Sequence, residues 1–142
     1  MGKVENGPNT IIDGFLDNHV TLLCPTFYYD GEIYPDEYNY KNNGVDYSVQ
    51  RVRKKLSFYD DSTQIDKSMG LLPKTILNYS QSIRTHNPLS SFVALGYHAE
   101  KLMESQNLLN VYSCYKNIVK SNLKSYILLA GVNLTKCTPI HY

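Results

Sequence analysis

"NTIIDGFLDNHVTLLCPTF", residues 9–27, sets the fold class. Its first half places Ile11, Ile12, Phe15 and Leu16 on one face of a helix, with Asn9 or Thr10 available as the N-terminal cap. Its second half, "HVTLLCPTF" at 19–27, is a short apolar, partly β-branched run stopped by Pro25, which predicts a buried strand. A helix, a turn and a buried strand in succession signal an α/β fold.

Further along, "SMGLLPKTILNY" at 68–79 predicts a helix from about Met69, since Pro73 is tolerable only near a first turn. "SFVAL" at 91–95 is short and apolar and ends at Gly96. "YHAEKLMES" at 97–105 predicts a helix with Ala99, Leu102 and Met103 on one side, and "SCYKNIVKSN" at 113–122 a second short helix. "SYILLAGVN" at 125–133 carries the strongest strand pattern of the chain. Between the first strand and these elements, "YYDGEIYPDEYNYKNNGVDYSVQ" at 28–50 is rich in tyrosine, asparagine and acids and has no clean period. It opens a surface excursion, assigned to 28–60, of the kind that is uncommon in a compact domain unless functional or mobile.

The 142 residues suit one domain with a modest core, and 42% hydrophobic with 19% charged content is globular rather than disordered. A net charge of +1 argues against a nucleic acid or an anionic membrane as partner. The basic run "RVRKK" at 51–55 is short, flanked by acids, and reads as a solvated face. Cys24, Cys114 and Cys137 are odd in number and widely spaced, and "MGKVENGPNTIID" has no signal-peptide character, so reduced thiols in the cytoplasm are expected.

No dinucleotide-binding, phosphate-loop or nucleophile-elbow motif is present. Cys137 and His141 have C-x3-H spacing without a second pair, so no metal is expected. His19 and His98 read as ordinary structural or surface residues. His141 stands apart because it comes after the strand-like run and a short polar turn, and ligands gather beyond the carboxyl ends of strands. "RTHNPLSS" at 84–91 offers N–H groups and hydroxyls able to hold a carbonyl or phosphate, although Asn-Pro and Ser-Ser equally build plain turns.

Four ordered blocks change that balance: "GKVENGPNTIIDGFLDNHVTLLCPTF" at 2–27, "FYDDSTQIDKSMGLLPKTIL" at 58–77, "IRTHNPLSSFVALGYHAEKL" at 83–102 and "ILLAGVNLTKCTPIH" at 127–141. Together they resemble the aminoglycoside 3-N-acetyltransferase family. The third is similar to its R-S-x-H-P-x-x-S-F-x-A-x-G pattern, with Thr85 and Asn87 as departures. The last is similar to L-L-G-V-x-x-x-x-T-x-x-H with Ala130 intruding, and the first to G-x-V-x-G-G-x-x-T with Asn6 in place of a glycine.

The resemblance implies an α/β fold, a partial three-layer-like sheet with flanking helices. It also implies acetyl transfer from acetyl-CoA to the 3-amino group of a 2-deoxystreptamine aminoglycoside, a reaction that confers antibiotic resistance. The motif histidine falls on His141, the implied general base. Ser90 and Ser91 are implied coenzyme contacts, with Thr138 beside them, and Gly2, Gly7 and Thr10 lie in a turn suited to coenzyme phosphates. His86 shapes its loop rather than carrying protons. The polycationic acceptor suits the acidic excursion, where Asp30 is the chosen contact among Asp30, Glu32, Asp36 and Glu37.

Against the family pattern, residues 1–142 correspond to a single, incomplete domain. The family carries an H-S-S strand-and-loop before the "GKV" block and continues past the histidine into a glutamate and a large C-terminal portion. A histidine without its orienting carboxylate loses tautomer control and basicity, so weak or absent activity of these residues alone is the expectation. Strands without neighbours leave open edges, a route to self-association. A non-catalytic fragment or small α/β interaction module is the alternative.

Overall fold

Pro8 opens helix α1, Pro8–Asp17, because the N–H that proline lacks would have no intrahelical partner at that position. The computed structural model describes residues 5–28, 64–87, 90–132, 134–137 and 139. Gly7 is the N-terminal cap residue of α1, with φ 76°, in place of the expected Asn9 or Thr10. The Thr10 hydroxyl instead donates backward to the Glu5 carbonyl at 3.1 Å. At the other end His19 takes φ 57°, its N–H donates to the Leu16 carbonyl, and the Val20 N–H donates to the Phe15 carbonyl. This paired closure is the Schellman stop, with histidine in the position glycine usually fills.

Strand β1, Leu22–Pro25, comes next, then the described chain resumes at a 3-10 turn over Lys67–Met69 and helix α2, Leu71–Ile76. Pro73 is the third residue of α2, inside the first turn as the sequence requires. Strand β2 is Ile83–Arg84, β3 is Phe92–Leu95, helix α3 is Ala99–Met103, helix α4 is Ser113–Lys120, and a 3-10 turn covers Leu134–Lys136.

The three strands form one antiparallel sheet in the order β1-β3-β2. Cys24 and Arg84 both pair with Val93, from opposite sides, so β3 is the central strand. Among the described residues β1 is therefore an edge strand, half-buried where its apolar run predicts a buried one, and an edge is where Pro25 costs no ladder bond.

Alternation along β3 builds both cores. Phe92 and Ala94 face one side, with Phe27, Ala99, Met103 and Cys114. Val93 and Leu95 face the other, with Ile12 and Ile76. Helices α3 and α4 thus cover one face of the sheet, and α1 and α2 the other. The result is the layered α/β arrangement expected. Phe92 makes edge contacts with Phe27, Tyr112 and Tyr115 at ring distances of 5.5, 6.3 and 5.1 Å. Asn117 of α4 donates to the carbonyls of Lys101, Leu102 and Glu104, closing the end of α3.

A further expectation is overturned. The run 123–129 has no regular secondary structure, and Tyr126, Ile127 and Leu128 are 78%, 57% and 61% exposed. Strand propensity needs a neighbouring strand to hydrogen-bond, and the described sheet supplies none for this segment. The excursion assigned to 28–60 lies, after Tyr28, outside the described residues, as does "RVRKK".

Candidate active site

Strand β1 ends and β3 begins at the same edge of the sheet, and the polar residues at that junction are tightly accounted for. Thr26 and Ser91 are fully buried. The Thr26 N–H donates to the Ser91 carbonyl at 2.8 Å, and the Ser91 hydroxyl donates to the Thr26 carbonyl at 2.7 Å. The two hydroxyls lie 2.8 Å apart. A serine hydroxyl has one proton, so Thr26 is the donor in that contact. Arg84 reaches in from β2: its Nη2 donates to the Thr26 carbonyl at 3.1 Å and to the Ser91 hydroxyl at 3.4 Å.

The turn between β2 and β3 is pinned at its neck. The Thr85 N–H donates to the Phe92 carbonyl, and the Phe92 N–H donates to the Thr85 hydroxyl, both at 2.9 Å. A serine would offer the same oxygen, so this departure from the family pattern preserves the group that is used. Asn87 is buried, and its Oδ1 accepts the Ser90 N–H at 2.8 Å. The Ser90 carbonyl accepts from Gln106 Nε2 at 2.8 Å, and the same nitrogen donates to the Val111 carbonyl at 2.6 Å. Those two carbonyl acceptors fix the amide's orientation and leave Gln106 Oε1 buried without a hydrogen bond among the described residues.

Ser90 is half-buried and held by both of its backbone groups, while its hydroxyl makes no hydrogen bond among the described residues. Ser91 differs. Its hydroxyl is committed to Thr26 and Arg84, its carbonyl accepts the Thr26 N–H, and the residue has no exposed surface. His86 is exposed on the same turn.

Gly7 and Thr10 sit at the N-terminal end of α1. Thr10 also lines an open groove of about 420 Å³ with Ile11, Gly14, Phe15, Asn18 and Val20. Gly7 and Thr10 thus belong to the start of α1, and Ser90 and Ser91 to the entry of β3. Gly2, Asp30, Thr138 and His141 lie outside the described residues. Among the described residues no group of three or more His, Cys, Asp and Glu is arranged to hold a metal ion, and no helix is long and apolar enough to cross a membrane.

Sequence reasoning missed Thr26 and Gln106. Thr26 reaches Ser91 across 65 positions and Gln106 reaches Ser90 across 16, and no local pattern advertises either bond. The only cue for Thr26 is a hydroxyl residue directly after a strand-ending proline.

The aminoglycoside 3-N-acetyltransferase family model matches residues 1–142. No curated protein matches the chain in sequence. Among solved structures, the YokD protein from Bacillus subtilis is similar with a TM-score of 0.55 and 21% identity, over 75% of this chain and 43% of its own. The aminoglycoside acetyltransferase AAC(3)-Xa is similar with a TM-score of 0.51 and 24% identity, over 71% of this chain and 35% of its own. AAC-IIIb, solved as a binary complex with CoASH, has a TM-score of 0.50 and 22% identity, over 75% of this chain and 39% of its own. The matched region is thus well under half the length of these neighbours, which at such identity speak for the fold. The family match extends from end to end, and the chain belongs to the aminoglycoside 3-N-acetyltransferase family.

Proposed function

We propose that the chain takes part in acetyl transfer from acetyl-CoA to the 3-amino group of a 2-deoxystreptamine aminoglycoside or a related amine, the chemistry of an antibiotic-resistance enzyme. The observation that carries this reading is Ser90: a hydroxyl without a partner among the described residues, on a turn whose N–H and carbonyl are both tied down. A polar group held rigidly and left unsatisfied by the protein is what a bound cosubstrate needs to find. Ser90 then contacts the coenzyme, assisted by Thr138, while the buried Ser91 holds the turn in place.

The acceptor amine is largely protonated at neutral pH and must lose a proton as it attacks the thioester. A histidine, whose ordinary pKa is about 6.5, suits that base role, and we assign it to His141. The tetrahedral oxyanion requires preorganised N–H donors; the Ser90 N–H is already given to Asn87 Oδ1, so the Thr138 turn is the candidate. The N-terminal end of α1, with Gly2, Gly7 and Thr10, is assigned to coenzyme phosphates, because a helix N-terminus concentrates unpaired N–H groups. Asp30 is assigned to the cationic acceptor. Three cysteines without disulfides support a reducing, cytoplasmic setting.

A second reading comes from a different observation, the exposed apolar run at Tyr126–Leu128. Under it the chain associates, with itself or another polypeptide, through this run and the open sheet edges, and catalysis is secondary or absent.

The deciding experiment is coenzyme A thiol release by the purified 142-residue chain with acetyl-CoA and a panel of deoxystreptamine aminoglycosides, with His141→Ala in parallel. Aminoglycoside-dependent release that His141→Ala abolishes supports the transferase reading. A folded chain that releases no thiol under any acceptor removes it and leaves the second.

A further inference from the structure

We infer that Arg84 is a positioning residue that sets the end of β1 against the turn entering β3, and so holds the proposed coenzyme turn in place. The inference rests on the role proposed for Ser90.

Arg84 and Cys24 pair with the same residue, Val93, from opposite sides. Neighbouring strands lie about 4.8 Å apart, so a side chain must cover roughly 10 Å to cross β3 from β2 to β1. At this position the length of the arginine side chain brings a charged donor to the far strand. Nη2 reaches the Thr26 carbonyl at 3.1 Å and the Ser91 hydroxyl at 3.4 Å. It closes a ring in which Thr26 and Ser91 are already joined through their main chains and hydroxyls. A charged donor strengthens each of these bonds relative to a neutral one.

The junction matters because one of its ends adjoins the proposed coenzyme contact: Ser91 directly succeeds Ser90. A sub-ångström slip between Thr26 and Ser91 is passed on to Ser90 and so to the coenzyme it is proposed to hold. Transfer reactions are sensitive to such displacement because reacting atoms must approach within about 3–3.5 Å.

Hydrogen exchange read by mass spectrometry on the full 142-residue chain tests this, using peptides that cover 22–28 and 90–96, with and without acetyl-CoA. In the unsubstituted chain, acetyl-CoA is expected to slow exchange in both segments, although the coenzyme turn is only one of them. In Arg84→Gln, ligand-free exchange is expected to rise about tenfold in both, and acetyl-CoA then to slow only the 90–96 segment. Arg84→Lys keeps the charge on a shorter stem and is expected to restore part of the coupling. Ser91→Ala removes one acceptor, and a smaller rise in both segments keeps the test decisive should Arg84→Gln not fold.

If acetyl-CoA protects neither segment of the unsubstituted chain, the acetyltransferase reading fails, and the ligand-free comparison alone decides the role of Arg84 as the tie across the junction. No rise in Arg84→Gln and Ser91→Ala, a rise in one segment only, or coenzyme protection of both segments that survives Arg84→Gln overturns the inference.

Discussion

Gly96 lies so close to Thr21 that a Cβ at position 96 would stand 2.9 Å from the Thr21 Cα and 3.1 Å from its Oγ1. The contact sits where β3 leaves the sheet beside the start of β1. The Thr21 hydroxyl there accepts the His98 N–H at 3.0 Å, steering the chain into α3. Gly96 also has φ +117°, a conformation that side-chain-bearing residues rarely adopt. Gly96→Ala therefore meets both a backbone penalty of about 1–3 kcal/mol and a clash with main chain that cannot swing away. A clear drop in the urea midpoint is expected, and an unchanged midpoint would show that β1 and β3 separate easily at this end.

Asp66 caps the 3-10 turn that precedes α2: its carboxylate accepts the Ser68 N–H at 2.8 Å and the Ser68 hydroxyl at 2.6 Å. The Ser68 hydroxyl first, then the Ser68 N–H, hold its carboxyl below the ordinary value of 3.8, with Lys67 adding a smaller pull. A carboxyl lowered by folding contributes stability that is complete above 3.8 and is lost as pH falls through the folded value. Melting temperature tracked from about pH 5 to 2.5 should decline more steeply in the parent than in Asp66→Asn. Parallel curves would remove Asp66 from the account.

Burial pushes the Cys24 and Cys114 thiols up to about 11, from an ordinary 9.0. Both therefore remain neutral at physiological pH, and the thiolate is the reactive form. Iodoacetamide at about pH 7.5 should label neither in the folded chain and both in urea. Because folding raises these values, the stability they contribute is complete below about 9 and is lost as pH climbs toward 11. Rapid native labelling at either position would contradict the burial.

Tyr126, Ile127 and Leu128 project into solvent, so charged replacements there leave no cavity. Ile127→Lys with Leu128→Glu should alter unfolding free energy by no more than about 0.5 kcal/mol per substitution and, under the association reading, lower self-association detected by sedimentation. A large loss of stability instead would mean that the run packs against other parts of the protein.

Helix α3 was legible because its apolar spacing coincides with its buried face. Ala99, Leu102 and Met103 recur at the separations that a single helical face demands. The short run 91–95 could be recognised as apolar, but nothing in "SFVAL" distinguishes a central strand from an edge strand. Both need apolar residues, and only partner geometry separates them. "SYILLAGVN" misled for the related reason that strand propensity reports suitability for a sheet, not the presence of one.

At the candidate site, "RTHNPLSS" was visible as a polar turn, yet its two serines could not be told apart. The fold separates them: Ser91 spends its hydroxyl on Thr26, whereas the Ser90 hydroxyl forms no bond among the described residues. Adjacent residues in a chain entering a strand point in opposite directions, so one faces the core and its neighbour does not.

Interactions between near neighbours along the chain were enough to specify a helix before β1, the Pro73-containing helix and the two short helices beyond β3. The ordered motifs likewise carried the family. Which strand lies in the middle, and that Arg84 crosses it to Thr26 and Ser91, emerged only with the folded arrangement. So did the need for a small residue at Gly96, because Thr21 stands behind it. Arg84 and Thr26 are 58 positions apart. The energy of such a contact exists only after the intervening chain has closed, so no local pattern can encode it.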